Sequence, residues 1–453
     1  MTELLDGTLT EQAAAVAGGD ADPSALLDAA LARIEERNPS VNAIVDTFPE
    51  RSRQMLAEAP RGPLYGVPVA IKDEWPLPWR AERLGAAEYL GPAPRPGESG
   101  PYRTLRDAGA VIVGVANMHE YGAGSTGHIS AFGPARNPWN TDRCPGGSSS
   151  GPGAAVAARL VSGAVGADGI GSIRYPAAYC GLTGLKPTFG RSAMQGHHVP
   201  STTTIDSGPT CRDAADCRLL GGVLFGSELT ASEPRGLRIG VVPGELWDDC
   251  DPEVNAACRQ AVEMLREASV STVAEVDFAG REHVLISSIL VGSTEELAVA
   301  TPKRVAGLGD DVSLIARALL RYRLLIPAAT IAKSVRVRSL VRRSLADLFE
   351  RVDVLAWPTV AAPAPPLENP TVNLPSGAYP ADYANPRQAG LANLAGVPAI
   401  SLPVGLSSEG LPIGLQLLAP WGRDELLLDA AEALERANGR QWVDAAPPLA
   451  RPG

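Results

Sequence analysis

The chain has 453 residues, of which 45% are hydrophobic and 20% are charged, a composition typical of a soluble globular protein with a substantial core. Its formal net charge of −11 argues against nucleic acid as a main partner, because phosphate binding is driven by patches of Lys and Arg. Aromatic residues make up 5%, which also disfavours a platform for stacking bases.

The N-terminus and the cysteines indicate the compartment. The chain starts Met1-Thr2-Glu3-Leu4-Leu5-Asp6, an acidic segment without the basic-then-apolar order of a signal peptide. No apolar run approaches the length of a membrane span. The scattered cysteines form no C-x₂-C pair, which favours free thiols over a metal site. We therefore predict a cytoplasmic protein without a bound metal.

Helical and apolar segments alternate along the first part of the chain, a pattern that predicts α/β layering. Thr8 and the pair Pro23-Ser24 are helix-start signals, and Lys72 ends a short β-branched stretch that is typical of a buried strand. The predicted helices cover residues 8–17, 25–37 and 102–108, and the predicted strands cover 65–72 and 109–115.

Small residues dominate the next segment. Residues 134–153 are rich in Pro, Gly, Asn and Ser and predict a loop, followed by a helix over 154–161 and a short strand or turn over 163–166. A further helix is predicted over 172–179. Pro176 is tolerated there only near the helix start, so Ser172 is expected at the N-terminus, beside N–H groups without intrahelical partners.

In the second half, four arginines fall within one strongly helical segment. We interpret them as a solvated face that pairs with nearby acids, rather than as a basic binding surface. The proline-rich stretch over 358–380 predicts a long surface connection, a candidate for an active-site rim. The arginines are Arg336, Arg338, Arg342 and Arg343, and the other predicted elements are strands over 236–242, 352–356 and 399–404 and helices over 253–268, 314–349 and 425–437.

Two glycine-serine turns carry the strongest chemical signal. Glycines let backbone N–H groups converge on a reacting carbonyl, and a hydroxyl beside such groups is a candidate nucleophile. A serine needs a base, however, and residues 146–191 contain no histidine. The turns are Gly146-Gly147-Ser148-Ser149-Ser150-Gly151 and Gly171-Ser172-Ile173-Arg174.

Three interpretations of the serines compete, and the first two concern the first turn. As G-x-S-x-G it matches a nucleophile elbow centred on Ser149, but an elbow follows a strand and needs a later histidine. The chain offers only His197, His198 and His283 after the turn, none near the C-terminus, so we discard this interpretation. A phosphate-binding loop is weakly supported, since no Gly-Lys-Ser/Thr accompanies the glycines. For the glycine run taken alone, simple turns are the favoured explanation. The third interpretation requires a base other than histidine.

Lys72 is the candidate base, because burial disfavours the charged form of lysine and a neutral amine can accept a proton from a hydroxyl. The alternative is that Lys72 pairs with Asp73 or Glu74, or extends to the surface. On these residues alone, that alternative is favoured.

Taken together and in order, these motifs strongly resemble the amidase signature family over nearly the whole chain. Because so many motifs of the family occur in the same order, a chance match of the two glycine-serine turns is negligible. The residues that carry it are Gly66-Val67-Pro68-Val69-Ala70-Ile71-Lys72-Asp73, the two glycine-serine turns, Pro176-Ala177-Ala178, Gly184-Leu185-Lys186-Pro187, Asn393-Leu394-Ala395-Gly396-Val397-Pro398-Ala399-Ile400-Ser401 and Gly410-Leu411-Pro412-Ile413-Gly414-Leu415-Gln416.

The resemblance implies a Ser–cisSer–Lys triad. Its nucleophile falls on Ser172, its bridging serine on Ser148 and its base on Lys72, with a cis peptide bond expected at Gly147–Ser148. Neutral Lys72 would accept the Ser148 proton while Ser148 accepts that of Ser172.

The resemblance also implies an oxyanion hole made of the backbone N–H groups of Gly169, Ile170, Gly171 and Ser172. Many members carry paired glycines before the nucleophile, whereas here Ile170 separates two glycines. Its β-branch is expected to restrict the backbone and to fill space beside the acyl carbon. Arg174 is expected to form an ion pair behind the nucleophile.

The fold implied is one large α/β/α domain over 1–453, with a twisted mixed sheet covered by helices on both faces. We divide it into an N-terminal helical part (1–60), a catalytic core (61–220), a strand with a helical insertion (221–350) and a C-terminal part of the sheet (351–453). The implied activity is hydrolysis of a carboxylic amide, carbamate or ester without metal or organic cofactor.

The predicted partner is a small-molecule amide or carbamate bound by a monomer or homodimer. The alternative is the amide-cleaving subunit of an amidotransferase complex that passes ammonia to a partner. Five residues are predicted to rim the substrate pocket, namely Met118, Tyr121, Ile129, Met194 and His197.

Overall fold

Helices and strands alternate through the residues that the computed structural model describes, which are 2–87, 95–197, 203–297 and 302–450. The strands are β1 (Ile44–Thr47), β2 (Pro68–Lys72), β3 (Val111–Ala116), β4 (Gly163–Asp168), β5 (Thr183–Lys186), β6 (Asp206–Cys211), β7 (Arg238–Val241), β8 (Thr272–Glu275), β9 (Val354–Pro358), β10 (Thr371–Leu374), β11 (Gly377–Pro380), β12 (Ala399–Leu406) and β13 (Pro412–Leu418). The helices are α1 (Thr2–Asp6), α2 (Leu9–Gly18), α3 (Pro23–Val41), α4 (Pro49–Glu58), α5 (Gly100–Asp107), α6 (Ser150–Ala157), α7 (Arg174–Cys180), α8 (Ala214–Phe225), α9 (Glu245–Asp248), α10 (Pro252–Ala268), α11 (Val284–Leu297), α12 (Pro302–Ala306), α13 (Leu314–Arg323), α14 (Ala328–Phe349), α15 (Ala381–Ala395), α16 (Asp424–Ala437) and α17 (Gln441–Asp444). Within these ranges, no helix is both long enough and apolar enough to cross a membrane.

In the described part of the chain, eleven strands form one mixed sheet in the order β1-β3-β2-β4-β6-β5-β12-β13-β9-β7-β8. Strand β12 pairs antiparallel with both β5 and β13 and so joins the two halves of the sheet. Strand β2 runs parallel to its neighbour β4. The carboxyl ends of these two strands, Lys72 and Asp168, therefore lie at the same edge of the sheet.

Both faces of the sheet are buried against helices. In β2, Val69 and Ile71 belong to one apolar cluster, which includes Leu220 of α8, whereas Ala70 belongs to a second cluster, which includes Leu27 of α3. Successive side chains of a strand point to opposite faces. The sheet therefore lies between two helical layers, as the resemblance implied, while the division of the domain into four parts stays a prediction.

Several element limits were predicted closely. Thr8 caps α2, and its hydroxyl and the Glu11 side chain form a capping box. Helix α10 begins at Pro252, one residue before the predicted start. Strand β4 continues to Asp168, beyond the predicted limit at Gly166.

Other predicted limits were wrong, and prolines explain two of the differences. Helix α6 begins at Ser150, inside the predicted loop, since Pro152 fits the first turn of a helix. The predicted helix over 314–349 is two helices, interrupted before Pro327, which cannot continue a helix. The stretch over 358–380 contains the hairpin of β10 and β11. Helix α7 begins at Arg174, so Ser172 lies in the turn before it.

Two of the four arginines of α14 differ from the interpretation as a face paired with acids. Arg338 donates to the Thr203 carbonyl at 2.9 Å, and Arg342 donates to the Ala395 carbonyl at 2.6 Å. These two side chains therefore bind the main chain of neighbouring segments.

Candidate active site

Lys72, Ser148 and Ser172 lie in the wall of one cavity of about 440 Å³. Lys72 is the last residue of β2, and the turn over 169–172 follows the end of the neighbouring strand β4. The two glycine-serine turns are joined by the Ser149 N–H, which donates to the Ser172 carbonyl at 3.2 Å. The fold thus brings together the three side chains that the resemblance implied.

The lysine and the first serine are in direct contact. Lys72 Nζ lies 2.9 Å from Ser148 Oγ, and the Gly147–Ser148 peptide bond is cis, as expected. Ser172 Oγ has no hydrogen-bond partner among the described residues, so the expected Ser148–Ser172 contact is not formed. Catalytic hydrogen bonds are often long in a resting site and tighten when substrate binds.

Lys72 also has an acidic partner. Its Nζ lies 3.0 Å from Glu74 Oε1, and both side chains are buried. Asp73 instead pairs with Arg80 at 2.6 Å. The lysine therefore contacts both a serine and a carboxylate, and its pairing with Glu74 does not exclude the contact with Ser148.

Burial and the ion pair act in opposite directions on Lys72. Burial lowers the pKa of its ammonium group, and Glu74 opposes this shift. Burial alone raises the pKa of Glu74, but Lys72 and His197 outweigh it and lower this pKa to about 2. Lys72 is thus easier to deprotonate than an exposed lysine, although its pairing with Glu74 limits this effect.

The turn before Ser172 is held by the Asp168 carboxylate. Asp168 Oδ1 accepts the Gly171 N–H at 2.6 Å, so this donor is already used inside the protein. The N–H groups of Gly169, Ile170 and Ser172 have no acceptor among the described residues. Three of the four expected oxyanion donors are therefore unused, and Gly171 has a structural partner instead.

Steric constraints explain the glycine before Ser172. Gly171 has φ of +101°, and an added Cβ would lie 2.3 Å from the Tyr175 ring. Ile170 lies in the cavity wall, beside Gly292 and Gly390. Its side chain therefore occupies part of the cavity next to the nucleophile, as expected.

Ser149 is excluded from the cavity. Its side chain is fully buried, and its hydroxyl donates to the Ala167 carbonyl at 3.2 Å. An elbow nucleophile has to be exposed at the top of its turn. The position of Ser149 therefore agrees with our rejection of the elbow.

A sequence model of the family described as Amidase matches residues 25–428. The chain belongs to the amidase signature family. One subunit of the glutamyl-tRNA(Gln) amidotransferase of Geobacter metallireducens is 33% identical over 465 residues, covering 90% of this chain and 93% of that protein.

Solved structures agree with this membership. A crystal structure of an amidase is 30% identical with a TM-score of 0.88, covering 95% of this chain and 99% of its own. The structure of 6-aminohexanoate cyclic dimer hydrolase complexed with substrate is 28% identical with a TM-score of 0.87, covering 99% and 100%. The predicted family, the α/β fold class and the general class of hydrolase are confirmed.

Within this amidase fold, the five predicted pocket residues separate into two groups. Tyr121 and His197 lie in the cavity wall. Met118 is fully buried among apolar side chains behind Gly122, and Met194 packs against the main core. Ile129 is also absent from the wall, and His198 lies outside the described residues. The two methionines therefore pack behind the wall and do not line it.

The cavity wall also contains residues that the sequence did not indicate. Polar members are Ser125, Tyr175, Thr204, Arg323 and Asp382, and apolar members include Ile205, Ile289, Ile315 and Leu319. The described residues contain no group of three His, Cys, Asp or Glu side chains able to hold a metal.

Arg174 forms the expected ion pair behind the nucleophile. The guanidinium is fully buried and its Nε lies 3.0 Å from Asp168 Oδ2. Burial raises the pKa of Asp168, but Arg174 outweighs this effect and lowers the pKa to about 2. The ionised carboxylate therefore contributes its full stabilisation at pH values above about 4, the pKa of Asp in an unfolded chain. This stabilisation is lost as the pH falls from about 4 towards 2.

We expect Asp168→Asn to lower the free energy of unfolding by about 3–5 kcal/mol, because it leaves the buried Arg174 without its counter-ion. Urea denaturation at neutral pH measures the loss. The control is Asp353→Asn, which removes an acid from the exposed pair with Arg238 and should cost far less. Equal denaturation midpoints for the two variants would contradict the assigned role of Asp168.

Proposed function

We propose that this protein hydrolyses a carboxylic amide, or a carbamate or ester of similar shape, through a seryl acyl-enzyme. The observation that carries the proposal is the 2.9 Å contact between Lys72 Nζ and Ser148 Oγ in a cavity shared with Ser172. The Lys72 amine can act as the base and the Ser148 hydroxyl as the proton relay for a serine nucleophile in the same cavity wall, Ser172.

In the acylation step, Ser172 Oγ attacks the carbonyl carbon of the substrate. Its proton passes to Ser148 Oγ, while the Ser148 proton passes to neutral Lys72. The oxyanion that forms accepts hydrogen bonds from the unused N–H groups of Gly169, Ile170 and Ser172, each typically contributing about 2.7–4 kcal/mol.

Collapse of the tetrahedral intermediate breaks the bond to the leaving group. The leaving amine takes a proton from Ser148, which regains one from the Lys72 ammonium. Water then attacks the acyl-enzyme along the reverse path. Glu74 stabilises the ammonium that exists between these transfers, since its carboxylate lies 3.0 Å from Nζ.

A panel of amide, anilide, carbamate and urea substrates tests the proposal. Hydrolysis of at least one class by the wild type, lost in Ser172→Ala, is the expected result. Activity of equal rate in both proteins would contradict it. The panel also defines whether the finer assignment, a linear amide or a carbamate, is right.

The acidic partner of Lys72 gives a pH prediction. Glu74→Gln removes a negative charge, so the ammonium loses stabilisation and the pKa of Lys72 falls. The rising limb of kcat/KM against pH is therefore expected to move to lower pH. The substitution leaves in place the neighbouring titratable groups Asp168, His119 and His197.

Asp353→Asn, which changes an acid outside the cavity, is the matched control and should leave the limb unchanged. A limb that stays at its wild-type position in Glu74→Gln would show that this carboxylate does not set the protonation of the base.

A second candidate is the amide-cleaving subunit of an amidotransferase, because a protein named as part of such an enzyme aligns over 90% of this chain. Glutamine hydrolysis would then depend on a partner protein. Size-exclusion chromatography of the purified protein, combined with a glutamine hydrolysis assay, separates the candidates. A monomer or homodimer that cleaves other amides alone supports our proposal, and the cytoplasmic location stays a prediction.

A further inference from the structure

A carboxylate faces the cavity at the start of α15. Asp382 lies in the same wall as Ser148 and Ser172. Its Oδ1 accepts from the Ser125 N–H at 2.6 Å and from the Ser125 hydroxyl at 2.7 Å. Asn385 donates to that hydroxyl at 3.1 Å, so the carboxylate is fixed in position. Its Oδ2 has no hydrogen-bond partner among the described residues.

A counter-ion for this carboxylate is missing from the described residues. Among the described residues, Asp382 takes part in no ion pair, although Arg323 lies elsewhere in the same wall. Asp382 acts electrostatically on two histidines, His119 and His128. Burial lowers the pKa of His119 to about 4 and lowers that of His128, against the opposing effect of Asp382. Both are therefore neutral near pH 7.

A second polar group in the wall also lacks a partner. Tyr175 is 2% exposed, and its hydroxyl has no hydrogen-bond partner among the described residues. Asp382 is close enough to act on it, since it adds to the effect of burial in raising the phenol pKa. The neutral phenol oxygen can accept a hydrogen bond beside the carboxylate.

The rest of the wall is largely apolar and includes Ile170, Ile205, Ile289, Ile315 and Leu319. A partly desolvated carboxylate in such surroundings loses hydration, which an ammonium group restores by charge and by hydrogen bonds. A methyl group in the same place would restore nothing.

We infer that the substrate is an amide that carries a protonated amine, bound by Asp382 with Tyr175 beside it, and an apolar spacer between this amine and the scissile carbonyl. The inference rests on the proposed function and names the substrate class of the same site. It makes Asp382 a specificity-determining residue of the cavity.

Matched substrates test the inference. The 4-nitroanilides of 5-aminopentanoic acid and hexanoic acid differ only in an ammonium or a methyl group at the chain end, and N-(4-aminobutyl)hexanamide and N-pentylhexanamide place the same difference on the leaving side. For at least one pair, we expect the wild-type kcat/KM to favour the ammonium substrate by about tenfold to a hundredfold.

Asp382→Asn should abolish this preference, because its amide oxygen can still accept both Ser125 bonds but the charge is gone. Asp353→Asn should leave it unchanged. Equal or lower kcat/KM for the ammonium member of both pairs in the wild type, or an unchanged preference in Asp382→Asn, would overturn the inference.

Binding provides a readout that does not depend on turnover. Calorimetric titration should show pentylammonium chloride binding to the wild type at least tenfold more tightly than 1-pentanol, with the difference lost in Asp382→Asn. Indistinguishable affinities for the wild type would overturn the inference even if Asp382→Asn failed to fold. Failure of the proposed function would appear differently, as activity that survives in Ser172→Ala.

Discussion

Ser172→Ala is expected to reduce amide hydrolysis by about four to six orders of magnitude, because it removes the atom that attacks the carbonyl. The same substitution should abolish covalent labelling by a fluorophosphonate or phenylmethanesulfonyl probe. Ser172 is half-buried in the cavity wall, and its hydroxyl supports no other described residue, so the substitution should leave the fold intact.

Intact-mass analysis of the labelled protein, followed by peptide mapping, measures this result. Ser149→Ala is the matched control, since Ser149 directly follows Ser148 but is buried outside the cavity. An adduct on Ser149 would support the discarded interpretation of a nucleophile elbow. Such an adduct, or labelling that persists in Ser172→Ala, would refute Ser172 as the nucleophile.

Lys72→Ala is expected to slow acylation by about 10²- to 10⁴-fold, because no other base contacts Ser148 among the described residues. The wild-type kcat/KM should rise with pH through a limb that belongs to the coupled system of Lys72, Ser148 and Ser172. The limb reports formation of the neutral amine, whose pKa burial lowers.

Lys72→Arg separates catalysis from folding. Arginine keeps a positive charge beside Glu74, whereas alanine leaves that buried carboxylate without the lysine. Because guanidinium does not deprotonate in proteins, Lys72→Arg should also be inactive while unfolding near the wild-type temperature. Wild-type acylation with the same pH limb in either variant would make Lys72 a structural residue. Ser148→Ala should be less severe, since water can bridge the gap.

The parts of the site that follow local rules were predictable from the sequence. Lys72 ends a β-branched stretch, and Ser148 and Ser172 lie in glycine turns, so the sequence around each position indicates its place. The pairing of Lys72 with Glu74 was recognised only as an alternative to a catalytic role. Glu74 lies only two residues after Lys72, so the sequence makes an ion pair between them plausible. The sequence does not indicate that Lys72 contacts Glu74 and Ser148 at the same time.

Other parts depended on tertiary structure. Asp382 reaches the cavity from a position 257 residues after Ser125, its hydrogen-bond partner, and no local pattern connects them. Met118 and Met194 were expected at the rim of the pocket, but both pack behind its wall. The sequence around an apolar residue near a catalytic loop looks the same in either position. The use of the Gly171 N–H by Asp168 depends on atomic positions in one tight turn, which residue types alone do not specify.

The network around Arg174 has a consequence for the order of synthesis. Its guanidinium donates to Gln416, 242 residues later in the chain, and Asn393 donates to Asp168, 225 residues earlier. A nascent chain that has left the ribosome only through α14 carries the nucleophile turn without either of these late partners. The turn acquires its full set of supports when β13 (Pro412–Leu418) joins the sheet, so we expect the site to become competent only after this strand has been made.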